Sequence, residues 1–269
     1  MIRPADDSLF EISNGVGLLT LNRPDHGNSI RAEATPSLVR FFREAQLDSG
    51  VRCLVIRGAR KHFCTGGDVQ AFARALKQSR EDVQRDCNER LQRAAELVEA
   101  VASFDRPIIA SCRGVVAGAG LLFALAADWT LADETVQFMF SHTRVGLCVD
   151  GGVSYFLTRI VGPRVAKQLA MTGAVVAATE AQKLGLATSI FAAGELETQV
   201  EKLSTKLARS PQAAVSITKR LIDDHANLRR RLDAEREGIV ACVGSDDFVE
   251  GVRAFTEKRQ ARFPSAADA

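Results

Sequence analysis

The 269-residue sequence predicts an α/β fold with mostly parallel strands, followed by an all-helical C-terminal third. Three observations carry that expectation. Short β-branched runs alternate with helix-length segments of helical apolar periodicity over the first two thirds of the chain. Two Gly-rich corners each follow a strand and lead into a helix. From Glu195 onward no strand-like run remains. The expected division is an α/β core over 1–194, which carries the ligand site, and a helical region over 195–269.

In chain order, Leu9–Ser13 and Val16–Leu21 read as strands joined by Asn14-Gly15, the dipeptide best suited to a two-residue hairpin. A polar loop spans 22–29. Leu38, Val39, Phe42 and Ala45 recur at helical spacing within a helix from about Ala32 to Leu47. Val51–Ile56 is a strand, and the first Gly-rich loop follows over 58–68. A long helix covers Arg80–Phe104, with Leu91, Ala94, Ala95, Val98 and Val101 on one face. Pro107–Cys112 is a strand, Gly114–Gly120 a tight loop, and Leu121–Ala127 a buried helix. Arg113 and the glycines interrupt this most apolar stretch, so it reads as strand plus helix and not as a membrane span. Trp129–Ala132 and Val136–Phe138 are two further strands. Amphipathic helices follow at Glu195–Ala208, Pro211–His225, Leu228–Val243 and Phe248–Lys258.

Composition narrows the function classes. With 46% hydrophobic and 25% charged residues, 20 Gly and 7 Pro, disorder, fibres and disulfide scaffolds are excluded. Lys and Arg number 35 against 33 Asp and Glu, a net charge of +2 that points to no nucleic-acid partner. The six cysteines are scattered, without a C-x-x-C pair or a zinc-like spacing to histidine, which suits a reduced intracellular protein. The N-terminal M-I-R-P-A-D-D-S has no apolar core, so neither a signal nor a transit peptide is expected and the localisation expected is cytoplasmic.

The two glycine loops, H-F-C-T-G-G-D-V (His62–Val69) and R-G-V-V-A-G-A-G-L-L (Arg113–Leu122), are where chemistry is expected. Glycine lets backbone N–H groups approach a ligand, and those at a helix start have no intrahelical partner. Two such loops face to face would supply paired donors to a developing oxyanion. The alternative is a pair of plain turns. G-x-G-x-x-G fails at Phe123, and neither a phosphate-cradling P-loop nor G-x-S-x-G occurs. No metal ligand set and no separate cofactor are expected.

Six segments in order resemble the crotonase superfamily, the enoyl-CoA hydratase/isomerase family, over nearly the whole chain. They are L-N-R-P-D-H-G-N-S (Leu21–Ser29), F-C-T-G-G-D (Phe63–Asp68), and G-V-V-A-G-A-G running on to A-A-D-W-T-L-A (Gly114–Ala132). After them come V-G-L-C-V-D-G-G (Val145–Gly152), E-A-Q-K-L-G-L-A (Glu180–Ala187) and E-G-V-R-A-F-T-E-K-R (Glu250–Arg259). The resemblance implies a core of repeated β-β-α turns, trimers or paired trimers built through the C-terminal helices, and a coenzyme A thioester as substrate. It implies that the N–H groups of Gly67 and Ala119 form the oxyanion hole, with Gly67, Asp68, Val69 and Gln70 beside the acyl-CoA. Arg23 and a neighbouring subunit's Lys258 are the residues it implies for the CoA phosphates.

The resemblance also marks departures. Family hydratases carry two glutamates that activate water; Leu122 and His142 stand at those positions here. Leucine transfers no proton, so the two-carboxylate mechanism is not available as usually drawn. Asp150 matches an aspartate found in relatives that shift double bonds or dehalogenate aromatic thioesters. One carboxylate can move a proton between two carbons, as allylic isomerisation needs. The alternative for Asp150 is a helix cap beside Gly151, and for His142 a loop histidine with no chemical part. The leading expectation is an enoyl-CoA isomerase with Asp150 as acid–base. The alternatives are a hydratase using His142 or Asp150, another thioester reaction on the same oxyanion scaffold, and a non-catalytic acyl-CoA-binding subunit. His26, His62 and His225 are assigned no chemistry. Phe138, Met139, Phe140, Tyr155 and Phe156 either line the acyl pocket or belong to the core, and Trp129 is core or pocket wall.

Overall fold

The structure is a computed structural model that describes residues 7–67, 73, 74, 76–223, 225 and 227–264. Strands β1 (Ser8–Ser13) and β2 (Val16–Leu21) pair antiparallel, Ser13 opposite Val16. Asn14 and Gly15 between them are both left-handed, at φ 51° and 82°, as a two-residue turn on twisted strands requires. Beyond them β3 (Cys53–Gly58), β4 (Ile108–Cys112), β6 (Trp129–Asp133) and β9 (Ser189–Phe191) add in parallel, giving the six-stranded order β1-β2-β3-β4-β6-β9. A second sheet, β5-β7-β8, joins Val115–Ala117, Gln137–Met139 and Val175–Ala177.

Alternation explains why β3 reads as one apolar run. Leu54 and Ile56 point into the main core with α1 (Thr35–Leu47), α2 (Arg80–Ala102) and α3 (Ala119–Ala126). Cys53 and Val55 point the other way, joined by Ile109 and Leu131 under Leu196, Val200 and Ala208. A parallel strand covered on both faces has no polar side to show. Among the described residues six further helices follow: α4 (Val153–Thr172), α5 (Ala178–Lys183), α6 (Leu196–Ala208), α7 (Gln212–Ile222), α8 (Leu228–Val243) and α9 (Asp246–Thr256). Helix α6 covers the second face of the sheet, and α8 packs along α2.

Several elements differ from the sequence expectation. The loop expected over Gly114–Gly120 contains β5, a three-residue strand that exists only through its pairing with β7 and a bridge from Val116 to Cys64. Helix α1 is preceded by a separate 3-10 turn at Ala32–Ala34. Strands β8 and β9 and helix α5 lie where no element was expected, and α4 follows the Gly-rich turn where a helix from Gly151 was one of two alternatives. Within α4, Gly162 leaves the helix at φ 73°, ψ 163°, because Pro163 disfavours a helical residue before it. Among the described residues no helix is long and apolar enough to cross a membrane.

Candidate active site

The first glycine loop is held from two sides. Asn28, 1% exposed and left-handed at φ 57°, donates to the carbonyls of Ala59 and His62 at 2.8 and 2.6 Å. Its own side-chain oxygen accepts from the Arg23 N–H at 3.0 Å. Thr65 N–H then donates to Gly27, and Ile30 N–H to Gly66. On the other side the two glycine loops zip together: Phe63 N–H to Arg113, Cys64 N–H to Val115, and Ala117 N–H to Cys64, at 2.9, 3.2 and 2.9 Å. His62 Nδ1 accepts from the Val115 N–H at 3.1 Å, and burial, with the Lys61 ammonium nearby, lowers its proton affinity. Both effects favour the neutral ring, which is the form whose Nδ1 can accept.

Contact between the loops is tight enough to demand glycine. A Cβ on Gly118 would lie 2.8 Å from the Gly66 Cα, and one on Gly120 2.6 Å from the Cys64 carbonyl oxygen. Gly118 also has φ 48° and ψ −119°, a region open to glycine alone. It is the N-cap of α3, which makes Ala119 the first helical residue and leaves its N–H without an intrahelical acceptor. Gly67 lies across from it on the facing loop; a Cβ there would meet nothing within 4 Å. Neither the Gly67 nor the Ala119 N–H has a backbone acceptor among the described residues. Two unused donors on abutting loops, one of them at a helix N-terminus, suit a developing negative charge on oxygen.

His142 and Asp150 come together. His142, on a 3-10 turn at Ser141–Val145, has Nε2 3.2 Å from the Asp150 Oδ1, with side-chain exposures of 10% and 32%. Its Nδ1 is buried with no partner among the described residues. Helix α4 begins at Val153, two residues after the expected start, because Gly151 and Gly152 are left-handed at φ 63° and 80°. No carboxylate of Asp150 caps it; Asp150 contributes only its carbonyl, to the Val153 N–H at 3.1 Å. Leu122 is buried, 3% exposed, on α3.

The cap comes from a residue the sequence reading passed over. Glu235, 6% exposed on α8, accepts from the Gly152 N–H and the Ser154 N–H, each at 2.8 Å. Burial pushes its carboxyl above the ordinary range against the pull of these hydrogen bonds, and the nearby Asp150 adds to the push. A signal was available: the buried residues of α8 are Leu228, Leu232, Glu235, Ile239 and Val243, so a carboxylate sits in the middle of an apolar stripe. Asp150 and Glu235 share the wall of a void of about 10 Å³, room for one water at most.

Arg23 is largely turned inward, its Nη1 donating to the Ser29 carbonyl and hydroxyl at 3.0 and 3.3 Å. Lys258 is exposed just past α9, in a segment tied back by Arg259 to Glu250. That clamp holds the Glu250 carboxyl down at about 2. Asp68, Val69 and Gln70 lie outside the described residues. Phe138 and Phe140 are fully buried core, and Tyr155 and Phe156 are buried edge to face on α4. A cavity of about 620 Å³ lies at the opposite end of α3, lined by Leu125, Ala126, Phe156, Arg159 and the Lys219–Asp128 ion pair; it includes neither glycine loop and neither His142 nor Asp150. No cluster of metal-ligating side chains occurs among the described residues.

Comparison with known proteins shows what the whole chain is similar to. Residues 11–266 match the family model described as enoyl-CoA hydratase/isomerase. The chain is 33% identical over 261 residues to a trans-2-decenoyl-[acyl-carrier-protein] isomerase of Streptococcus mutans, covering 95% of this chain and 97% of the relative. It is 31% identical over 264 residues to a 1,2-epoxyphenylacetyl-CoA isomerase of Escherichia coli, covering 95% and 97%. A crystal structure of an enoyl-CoA hydratase from Mycobacterium avium subsp. paratuberculosis superposes with a TM-score of 0.86 at 31% identity, covering 97% of this chain and 99% of that one.

Proposed function

The chain belongs to the enoyl-CoA hydratase/isomerase family, and from that premise we propose that it moves a carbon–carbon double bond next to a thioester, with Asp150 carrying the proton. The family acts on acyl-CoA thioesters. In a 3-enoyl thioester, the Asp150 carboxylate takes a proton from the carbon between the carbonyl and the double bond. The electron pair spreads over a dienolate whose oxygen accepts from the Gly67 and Ala119 N–H groups. Asp150 then returns the proton to the far carbon, leaving the 2-enoyl thioester and a free carboxylate. No water enters and no co-reactant is consumed. Each oxyanion donor is worth about 3 kcal/mol to such a step.

The observation that carries the reading is that the Asp150 carboxylate is free of any capping duty and meets His142, while Leu122 offers no proton-transfer group. His142 is assigned to orienting the carboxylate through its Nε2. Arg23, Asp68, Val69 and Gln70 are assigned to the acyl-CoA, with Lys258 reaching the phosphates of a neighbouring subunit's ligand in a trimer or a dimer of trimers.

Purified protein incubated with 3-enoyl-CoA and 2-enoyl-CoA tests this directly. The expected product has unchanged mass and a new retention time. A gain of one water establishes hydration instead, and no product at all leaves an acyl-CoA-binding subunit. The same thioesters on acyl carrier protein, the carrier in the Streptococcus mutans isomerase's name, identify the preferred carrier. Asp150→Asn should lower turnover by roughly 10²–10⁴-fold with binding retained; full turnover in that variant sinks the assignment.

A further inference from the structure

We propose that Glu235 is a positioning residue for proton transfer: by capping α4 from α8, it fixes the backbone that carries Asp150. The inference rests on the reading of Asp150 as the acid–base group.

The turn after Asp150 cannot cap itself. Gly152 is the N-cap of α4, with φ 80°, and a Cβ there would lie 2.9 Å from both the Phe156 ring and the Val98 side chain. A serine, threonine or aspartate, the usual source of a cap, is therefore excluded at this position. Gly151, at φ 63°, is equally left-handed. Two consecutive glycines give the backbone wide freedom where the proposed acid–base residue needs a fixed direction. Glu235 removes that freedom. Its two oxygens take the N–H groups of Gly152 and Ser154, while the N–H between them, from Val153, goes to the Asp150 carbonyl. The segment 150–154 is thus pinned at three successive N–H groups.

A burial argument points the same way. An apolar residue would complete the α8 stripe of Leu228, Leu232, Ile239 and Val243 more cheaply than a carboxylate. Glu235 is 6% exposed and both of its oxygens are taken by backbone N–H groups, so it acts through Asp150 and not on substrate.

A double-mutant cycle tests the inference. Glu235→Gln keeps the size but turns one N–H donor toward a backbone N–H. Its kcat should fall about 10–100-fold with KM changed less than about 3-fold, because the loss is in alignment and not in substrate binding. Added to Asp150→Asn, the same change should cost less than about 2-fold. Equal losses in the two backgrounds, or an unchanged kcat in the first, overturn the proposal. Should Glu235→Gln not fold, Glu235→Asp takes its place; it keeps the charge on an arm too short for both N–H groups, and the same outcomes apply. A readout independent of turnover is the ¹⁵N shifts of the His142 imidazole, identified among four histidines by His142→Gln. These should move in Glu235→Gln in the same direction as in Asp150→Asn; unmoved shifts also overturn the proposal. If Asp150→Asn itself retains full turnover, the acid–base reading is what fails, and the histidine shifts alone then decide whether Glu235 positions Asp150.

Discussion

Replacing Gly118 with alanine probes the abutment of the two glycine loops. The new Cβ would sit 2.8 Å from the Gly66 Cα, about 0.6 Å inside ordinary contact at 3.4 Å, and 3.5 Å from the Gly67 nitrogen. Both partners are backbone, so no side chain can swing away. The loops must part by about that distance, and alanine must also hold φ 48°, ψ −119°. Backbone strain of this kind costs about 1–3 kcal/mol, which for a chain of this size lowers Tm by about 2–12 °C. Gly67 and Ala119 flank the contact, so parting the loops moves the two N–H donors relative to each other. Effective loss of one donor lowers kcat by about 10²–10³-fold. Steady-state kinetics on a 3-enoyl thioester, with calorimetry on the same preparation, reads both effects. Gly67→Ala is the control, since its Cβ meets nothing within 4 Å and should leave Tm unchanged. A Gly118→Ala protein with native Tm and native kcat would refute the loop contact and the oxyanion assignment together.

Asn28→Ala leaves two part-buried carbonyls and the Arg23 N–H without their Asn28 partner and places alanine at φ 57°, so a loss of about 2–4 kcal/mol is expected by denaturant titration; Asn28→Gly should recover only the backbone part. Cys64 is fully buried and its thiol is pushed up to about 12, so iodoacetamide should not label it in the native protein; rapid labelling under native conditions counts against the packing of the two loops. Burial raises the Glu235 carboxyl above its ordinary 4.5, so the folded protein holds that proton more tightly than the unfolded chain. Its contribution to stability is then full below about pH 4.5 and lost as the pH climbs through the folded-state value. Compared with Glu235→Gln from about pH 4 to pH 8, the native protein should lose relative stability as pH rises; a relative gain contradicts the burial argument.

What was legible in the sequence had a local cause. Asn14-Gly15 specifies its hairpin within four residues, and α2 and α8 declare themselves by apolar stripes. Strands β5, β8 and β9 have three residues each, too few to show a period, and they are strands only because distant segments pair with them. The glycine loops stood out by composition, and the structure joins them through Gly66 and Gly118. Asn28 lay inside a motif already singled out, yet its role requires residues 59–62 to be its neighbours. Asp150 was visible as an acid in a Gly-rich turn; that its cap would come from 85 residues further on was not.

The two-faced burial of β3 also sets a schedule for synthesis. Strands β1–β4 and β6 are complete once Asp133 has been added, but their second face is covered only when α6 ends at Ala208. At about 5–20 residues per second, those 75 residues take roughly 4–15 s to follow. Through that interval a nascent chain presents Cys53, Val55, Ile109 and Leu131 as a bare apolar strip, with β6 as an open edge awaiting β9. Substitutions of Leu196, Val200 or Ala208 in α6, far from any chemistry, should therefore lower the yield of folded protein by prolonging that exposure.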